Sequence, residues 1–261
     1  MKIVYVAELV GKAGVFTFKK ALKKLKERCP WDFLIVCADG ATGGNGLGQI
    51  HAGYIRKLGA DVITLGDCCF LKKDLTENIQ KIPYVLRPEN LNRGAPGTGY
   101  KIFSAASTGE KIAVAVFAGQ NNIKRINPNS PFLNFDFIIE KLRKQTPYII
   151  IDFHAQATAE KKTFFYYADG LCSAVIGSHT RVQTADENIL PKGTAVITDA
   201  GRTGSVQSVG GCDINSRINE YLTGIPDWTK DAWDDLQLQG VCIDIEKDGK
   251  AVSIERIKIN V

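Results

Sequence analysis

Apolar residues run almost unbroken through Lys2–Val6, Phe33–Cys37, Asp61–Leu65, Lys111–Phe117, Tyr148–Phe153 and Ala174–Gly177. Runs of this length predict strands covered on both faces. Thr194–Asp199 and the short run Tyr84–Leu86 before Pro88 extend the series. Between the runs, apolar residues recur at helical spacing. Thr17–Arg28 carries Phe18, Leu22 and Leu25 on one side, and Pro30 follows its end. Ile50–Leu58, Lys73–Ile79, Phe132–Lys144 and Ile214–Leu222 also read as helices. This alternation predicts an α/β fold with parallel strands and right-handed crossovers. Residues 236–259 instead alternate apolar and polar positions around Asp248-Gly249, which predicts a hairpin.

The connections add less. Gly11 and Gly14 suggest a tight turn after the first strand. Gly40–Gly48 is glycine-rich, but it matches neither GxGxxG nor a P-loop. Asn92–Gly99 holds Gly94, Pro96, Gly97 and Gly99, and reads as a turn-rich connection, as does the loop Gly201–Gly204. With no repeat, low-complexity stretch or linker, residues 1–261 are expected to form a single domain, the C-terminal hairpin joining a second sheet.

Charge narrows the choice of partner. The net charge of +5 is modest for 261 residues. Lys19, Lys20, Lys23, Lys24 and Lys26 form one solvated helix face without interleaved aromatic residues. That pattern does not favour nucleic-acid binding. The seven cysteines are odd in number and form no CxxC pair, which favours reduced thiols and a cytoplasmic protein. The first residues enter a strand without the h-region of a signal peptide, and no run is long enough to cross a membrane.

Candidate chemistry sits at the strand ends. Two of the three histidines, His154 and His179, end buried runs, whereas His51 falls in a predicted helix and reads as a surface or capping residue. One such histidine is ordinarily half-buried and bonded to backbone; two in matching places point to metal. Glu8, Asp39 and Asp67 each follow a strand and would share the histidines' edge if the sheet is parallel there. Singly, each acid could equally be a helix cap or a solvated loop residue. Together with two histidines they suit Zn²⁺, Mn²⁺ or Fe²⁺.

Ile151–Thr158 and Gly177–Asp186, with Leu190–Ala195 and Ile197–Gly201, resemble the YmdB-like family of bacterial metallophosphoesterases, in the calcineurin-like superfamily. The resemblance spans essentially the whole chain. It implies a four-layer αββα sandwich, a two-metal centre at strand ends and phosphodiesterase activity on cyclic nucleotides. It also implies that the centre is altered. Ala7-Glu8 stands where the family has Gly-Asp, Ala38-Asp39-Gly40 where it has Gly-Glu-Asn, and Gly66-Asp67-Cys68 where it has Gly-Asn-His. The family's His-Thr-His becomes His179-Thr180-Arg181.

Asp39, Asp67, His154 and His179 then remain as ligands for one metal. The second position would have Glu8, Asp39 and Arg181, and a guanidinium has no lone pair to donate. Arg181 is expected to pair with Glu8 or Asp39, or to act as a phosphate clamp; a side chain turned to solvent is the alternative. Cys68 replaces a histidine implied to assist phosphoryl transfer, and a thiol is a poor proton donor there. As a buried residue it reads as a small hydrophobe, with a soft zinc ligand the other option. Gly40 removes an amide implied to hold phosphate or metal. The expectation is at most one divalent transition metal (Mn, Fe or Zn) or none, and weak or lost hydrolysis in a fold kept for binding or assembly. The alternative is a one-metal phosphodiesterase acting on cyclic nucleotides, with Arg181 replacing the second metal. A cyclic nucleotide or phosphate is the implied ligand, and a homo-oligomer or protein partner is compatible with either reading.

Overall fold

The structure is a computed structural model and describes residues 1–227 and 230–261. The chain begins with β1 (Lys2–Val6), β2 (Glu8–Leu9) and α1 (Gly11–Arg28), followed by β3 (Phe33–Cys37), α2 (Gln49–Lys57) and β4 (Val62–Thr64). Then come α3 (Lys73–Thr76), β5 (Val85–Leu86), β6 (Tyr100–Ser104), β7 (Lys111–Ala118) and α4 (Pro131–Arg143). The histidine strand β8 (Ile149–His154) is followed by α5 (Thr158–Ala168), β9 (Ala174–Ser178), β10 (Asn188–Ile189) and β11 (Ala195–Ile197). β12 (Arg202–Ser205), α6 (Ile214–Thr223) and the hairpin β13 (Leu236–Ile245) and β14 (Ala251–Asn260) complete it.

The strands form two sheets. One runs β2-β12-β13-β1-β3-β4-β5, with β14 beside β13; the other runs β10-β11-β9-β8-β7-β6. β1, β3, β4 and β5 pair in parallel, as do β7, β8, β9 and β11. Strand alternation builds the layers. Val4, Val6, Leu34 and Val36 face an outer core with α1 and α2. Ile3, Tyr5, Phe33 and Ile35 face inward and share a core with Val114, Ile150 and Ile176 of the other sheet. Ile149, Ile151 and Phe153 pack outward against α4 and α5. The result is the αββα sandwich that the resemblance implied. Burial of both faces of each sheet explains why these strands read as continuous apolar runs.

Four expectations change. The metal-site residues follow strands of two facing sheets, not one edge of a single sheet. The hairpin extends the sheet of β1 rather than a separate one. Gly11 and Gly14 lie inside α1: a Cβ on Gly14 would stand 2.5 Å from Thr203 O, so this glycine serves a close approach to β12. Residues 202–204, expected as a loop, belong to β12.

The cysteine reading is also corrected. Cys29, just past α1, is bonded to Cys242 on β13, with Cα atoms 6.8 Å apart. The partners are separated by 213 positions and meet only when α1 packs on its sheet, so spacing could not reveal them. Cys37, Cys68, Cys69, Cys172 and Cys212 are free and buried. The argument for a reducing compartment therefore loses its premise. No described helix is long and apolar enough to cross a membrane. The lysines of α1 are exposed, as expected of a solvated face.

Candidate functional site

The carboxyl ends of β1, β3 and β4 meet those of β8 and β9. Asp67, His154 and His179 each bring a donor atom into one cluster, all within 4.8 Å of one another. His154 Nε2 is 3.0 Å from Asp67 Oδ1 and 3.0 Å from His179 Nδ1. It is 3.9 Å from Asp39 Oδ2. Gly66 makes this possible: a Cβ there would fall 2.1 Å from the His154 ring. Asp39 ties two loops together, because its Oδ1 accepts from Gly66 N at 2.6 Å and its Oδ2 from Cys68 N at 3.0 Å.

The electrostatics are those of a crowded acidic cluster. Burial raises the Asp39 pKa to about 6; His154 opposes the shift, and Glu8 and Asp67 add to it. Burial also works to raise Asp67, but hydrogen bonds from His154 and His179 hold it well below the usual carboxylate range. For His154, burial favours the neutral ring, yet Asp67, Asp39 and Glu8 together raise its pKa to about 9. Two carboxylates and two imidazoles fit one divalent metal in number and type.

The neighbouring position holds Arg181. Its Nη2 and Nε lie 2.6 and 3.0 Å from Glu8 Oε1, and Glu8 is 2% exposed. Nη2 also donates to Gly44 O at 2.9 Å and Nη1 to Gly210 O at 3.2 Å. Burial opposes the guanidinium's charge, but Glu8 outweighs it and holds Arg181 protonated. Gly40 provides the room: a Cβ there would sit 2.7 Å from Glu8 Oε1 and 2.8 Å from Arg181 Nη2. These residues do not fit a second metal, since a cation already occupies the space against Glu8.

Cys68 is buried, and burial with the charges of Asp39 and Asp67 pushes its thiol far up, against the pull of Arg125. Its Sγ accepts a hydrogen bond from Arg125 Nη1 at 3.1 Å, and the same nitrogen is 3.6 Å from Asp67 Oδ2. A cavity of about 710 Å³ opens beside His179 and Arg181, lined also by Arg125, Arg217 and Tyr221. His51 lies apart, with its Nδ1 2.7 Å from Thr42 Oγ1.

Sequence reasoning missed several supporting residues. Asp152 shares the inner face of β8 with His154, two positions away, and that spacing was a usable signal. Ser178 Oγ donates to Asp152 Oδ1 at 2.7 Å and lies 3.1 Å from His154 Nδ1, while Tyr5 donates to Asp152 Oδ2 at 2.7 Å. A partner of this kind orients an imidazole towards a metal. Arg125 comes from a loop whose local pattern carries no signal. Glu160, on the first turn of α5, accepts from Gln120 N at 2.7 Å and so anchors the loop leading to Arg125.

A two-sheet sandwich with carboxylates and histidines meeting at the strand ends defines a protein of the metallophosphoesterase class. The profile of YmdB-like proteins matches residues 4–257, and the chain belongs to that family. It is 40% identical, over 100% of its own length and 97% of the relative's, to the 2′,3′-cyclic-nucleotide 2′-phosphodiesterase of Bacillus subtilis. A putative phosphatase/phosphodiesterase of Mycoplasma genitalium is 31% identical, over 99% of this chain and 93% of that protein. The crystal structure of a phosphatase from Mycoplasma pneumoniae superposes with a TM-score of 0.91 at 30% identity, covering 100% of this chain and 93% of the other.

Proposed function

We propose that this chain is a YmdB-like protein whose two-metal centre has become a site for at most one metal, with phosphodiester hydrolysis weak or lost and the fold kept for binding or assembly. The observation that carries this reading is the pair of half-buried Arg181 with buried Glu8, at 2.6 Å, where a second ion would need Glu8 as ligand. Asp39, Asp67, His154 and His179 would hold one divalent ion, Mn²⁺, Fe²⁺ or Zn²⁺. In two-metal phosphoesterase chemistry the ions stabilise the attacking and leaving oxygens of the displacement. Arg181 can give little of that help, since four of its five N–H donors are already committed, two to Glu8 and one each to Gly44 O and Gly210 O. Cys68, raised and bonded to Arg125, is a poor proton donor, and a well-placed general acid is worth about 10²–10⁴ in rate.

A second reading, a one-metal phosphodiesterase, is favoured by one feature. The cavity beside His179 is lined by Arg125, whose Nε and Nη2 make no hydrogen bond among the described residues. Arg125, rather than Arg181, would then meet the phosphate of a cyclic nucleotide.

The test is hydrolysis of 2′,3′-cyclic AMP and of an activated phosphodiester by protein supplied with Mn²⁺. Turnover near background is expected. Brisk, metal-dependent turnover abolished by Arg125→Gln would overturn the silent reading in favour of the one-metal enzyme.

A further inference from the structure

We infer that Lys161 and Asp199 are positioning residues that hold the turn His179-Thr180-Arg181, and so fix a metal ligand and the replacement cation through one anchor. Resting partly on the reading of His179 as a ligand, the inference extends to residues outside that site.

The turn is held in a conformation that it would not adopt unaided. His179 has φ 102° and Arg181 φ 60°, both in the left-handed region that side chains other than glycine disfavour. Backbone of this kind persists only where the surroundings over-determine it. Thr180, between them, supplies the restraint. Its N–H donates to Asp199 Oδ2 at 2.9 Å and its hydroxyl to the same oxygen at 2.7 Å. Asp199 Oδ1 accepts from Gly201 N at 2.9 Å, so the carboxylate is fixed at both ends. A second brace is Arg202, which donates to Arg181 O at 2.9 Å.

Asp199 is 0% exposed, and a carboxylate there requires a counter-charge. Lys161, also 0% exposed, provides it from the first turn of α5, with Nζ 3.1 Å from Oδ2. Helix α5 follows the strand that ends in His154, so the side of the site that carries His154 anchors the loop that carries His179. His179 and Arg181 flank Thr180 directly. Releasing Thr180 therefore frees both, and the imidazole and the Glu8 partner should move together.

The test compares Thr180→Val, which keeps shape but loses the hydroxyl, with Thr180→Ser, which keeps it, alongside Asp199→Asn and Lys161→Met. Two readouts are used on folded protein. The first needs no metal: hydrogen exchange across residues 178–182 and the 15N NMR signal of Arg181 Nε–H. Thr180→Val and Asp199→Asn should lose protection there, while Thr180→Ser retains it. The second is titration with Co²⁺, followed by its visible absorption. Affinity should fall by about 10–100-fold in Thr180→Val, with an altered spectrum, and Thr180→Ser should restore both. A packing role alone would leave the cobalt spectrum unchanged. Should the buried variants fail to fold, the Thr180 pair decides. Unchanged exchange and unchanged cobalt binding in folded Thr180→Val overturn the inference. Absence of Co²⁺ binding by the parent protein would instead sink the metal reading, and the exchange comparison would decide this one alone.

Discussion

Gly40 and Arg181 exclude other arrangements of each other. The Cβ that Gly40 lacks would fall within 2.8 Å of the Arg181 guanidinium and 2.7 Å of Glu8. Gly40→Ala should therefore destabilise the protein by about 1–3 kcal/mol, as overpacking does. Arg181→Ala should cost about 3–5 kcal/mol, because it strands a buried Glu8 carboxylate. Combined, the two should cost less than their sum, with a coupling of about 0.5–3 kcal/mol in urea unfolding. Strict additivity would mean that the two residues do not share this space. Asp186 offers an independent test by pH. Burial would raise its pKa, but hydrogen bonds from Thr198 and Thr184 and the nearby Lys162 lower it from 3.8 to about 2. A depressed folded pKa gives stability that is present above the ordinary value and lost as pH falls through the folded one. The gap in urea midpoint between the parent and Asp186→Asn should close across that window. A gap of constant size down to the lowest pH would contradict the assignment.

At the scale of elements, the buried parallel strands were legible because both of their faces are covered. β1 and β3 have the bounds that their apolar runs gave. Three short strands were not legible: β2, β10 and β12 have between two and four residues each, too few for a period, whereas β5, equally short, showed as an apolar run before Pro88. The edge strand β6 and the helix α5 were missed as well; α5 buries Phe164 and Phe165 side by side and shows almost no amphipathic stripe. Among site residues, those at strand ends could be read, since a buried run stopping at a titratable residue is a local signal. Arg125 acts through contacts made only when loops of the two sheets meet, and Asp199 through contacts between segments that follow neighbouring strands of one sheet. The Cys29–Cys242 bond is of the same kind, joining α1 to β13. Removing it by Cys29→Ser, or by reductant, should lower stability by about 2–4 kcal/mol. Thiol titration of the unreduced, denatured chain should find the five other cysteines free; seven titrating thiols would rule the bond out.

For the whole molecule, the fold of the family is preserved, and the rearrangement proposed for its centre would involve the residues there as a set. Glu8, Gly40 and Arg181 form one packed unit, and Cys68 with Arg125 forms another beside it. Reversal should therefore also work as a set. Cys68→His alone should recover little hydrolysis, because the second cation site stays filled. Arg181→His with Cys68→His and Gly40→Asn should recover more with Mn²⁺ present, with Glu8→Asp and Asp39→Glu to adjust reach. Effects on one transition state are not additive.

The most direct test is the count of ions that the folded chain holds. The parent protein, and the variant carrying Arg181→His, Gly40→Asn and Cys68→His, would be loaded with Mn²⁺ or Zn²⁺, freed of excess metal, and analysed for metal per chain. The geometry of Asp39, Asp67, His154 and His179, with Arg181 against Glu8, predicts at most one ion for the parent and a higher count for the variant. Two tightly bound ions in the parent would contradict the account.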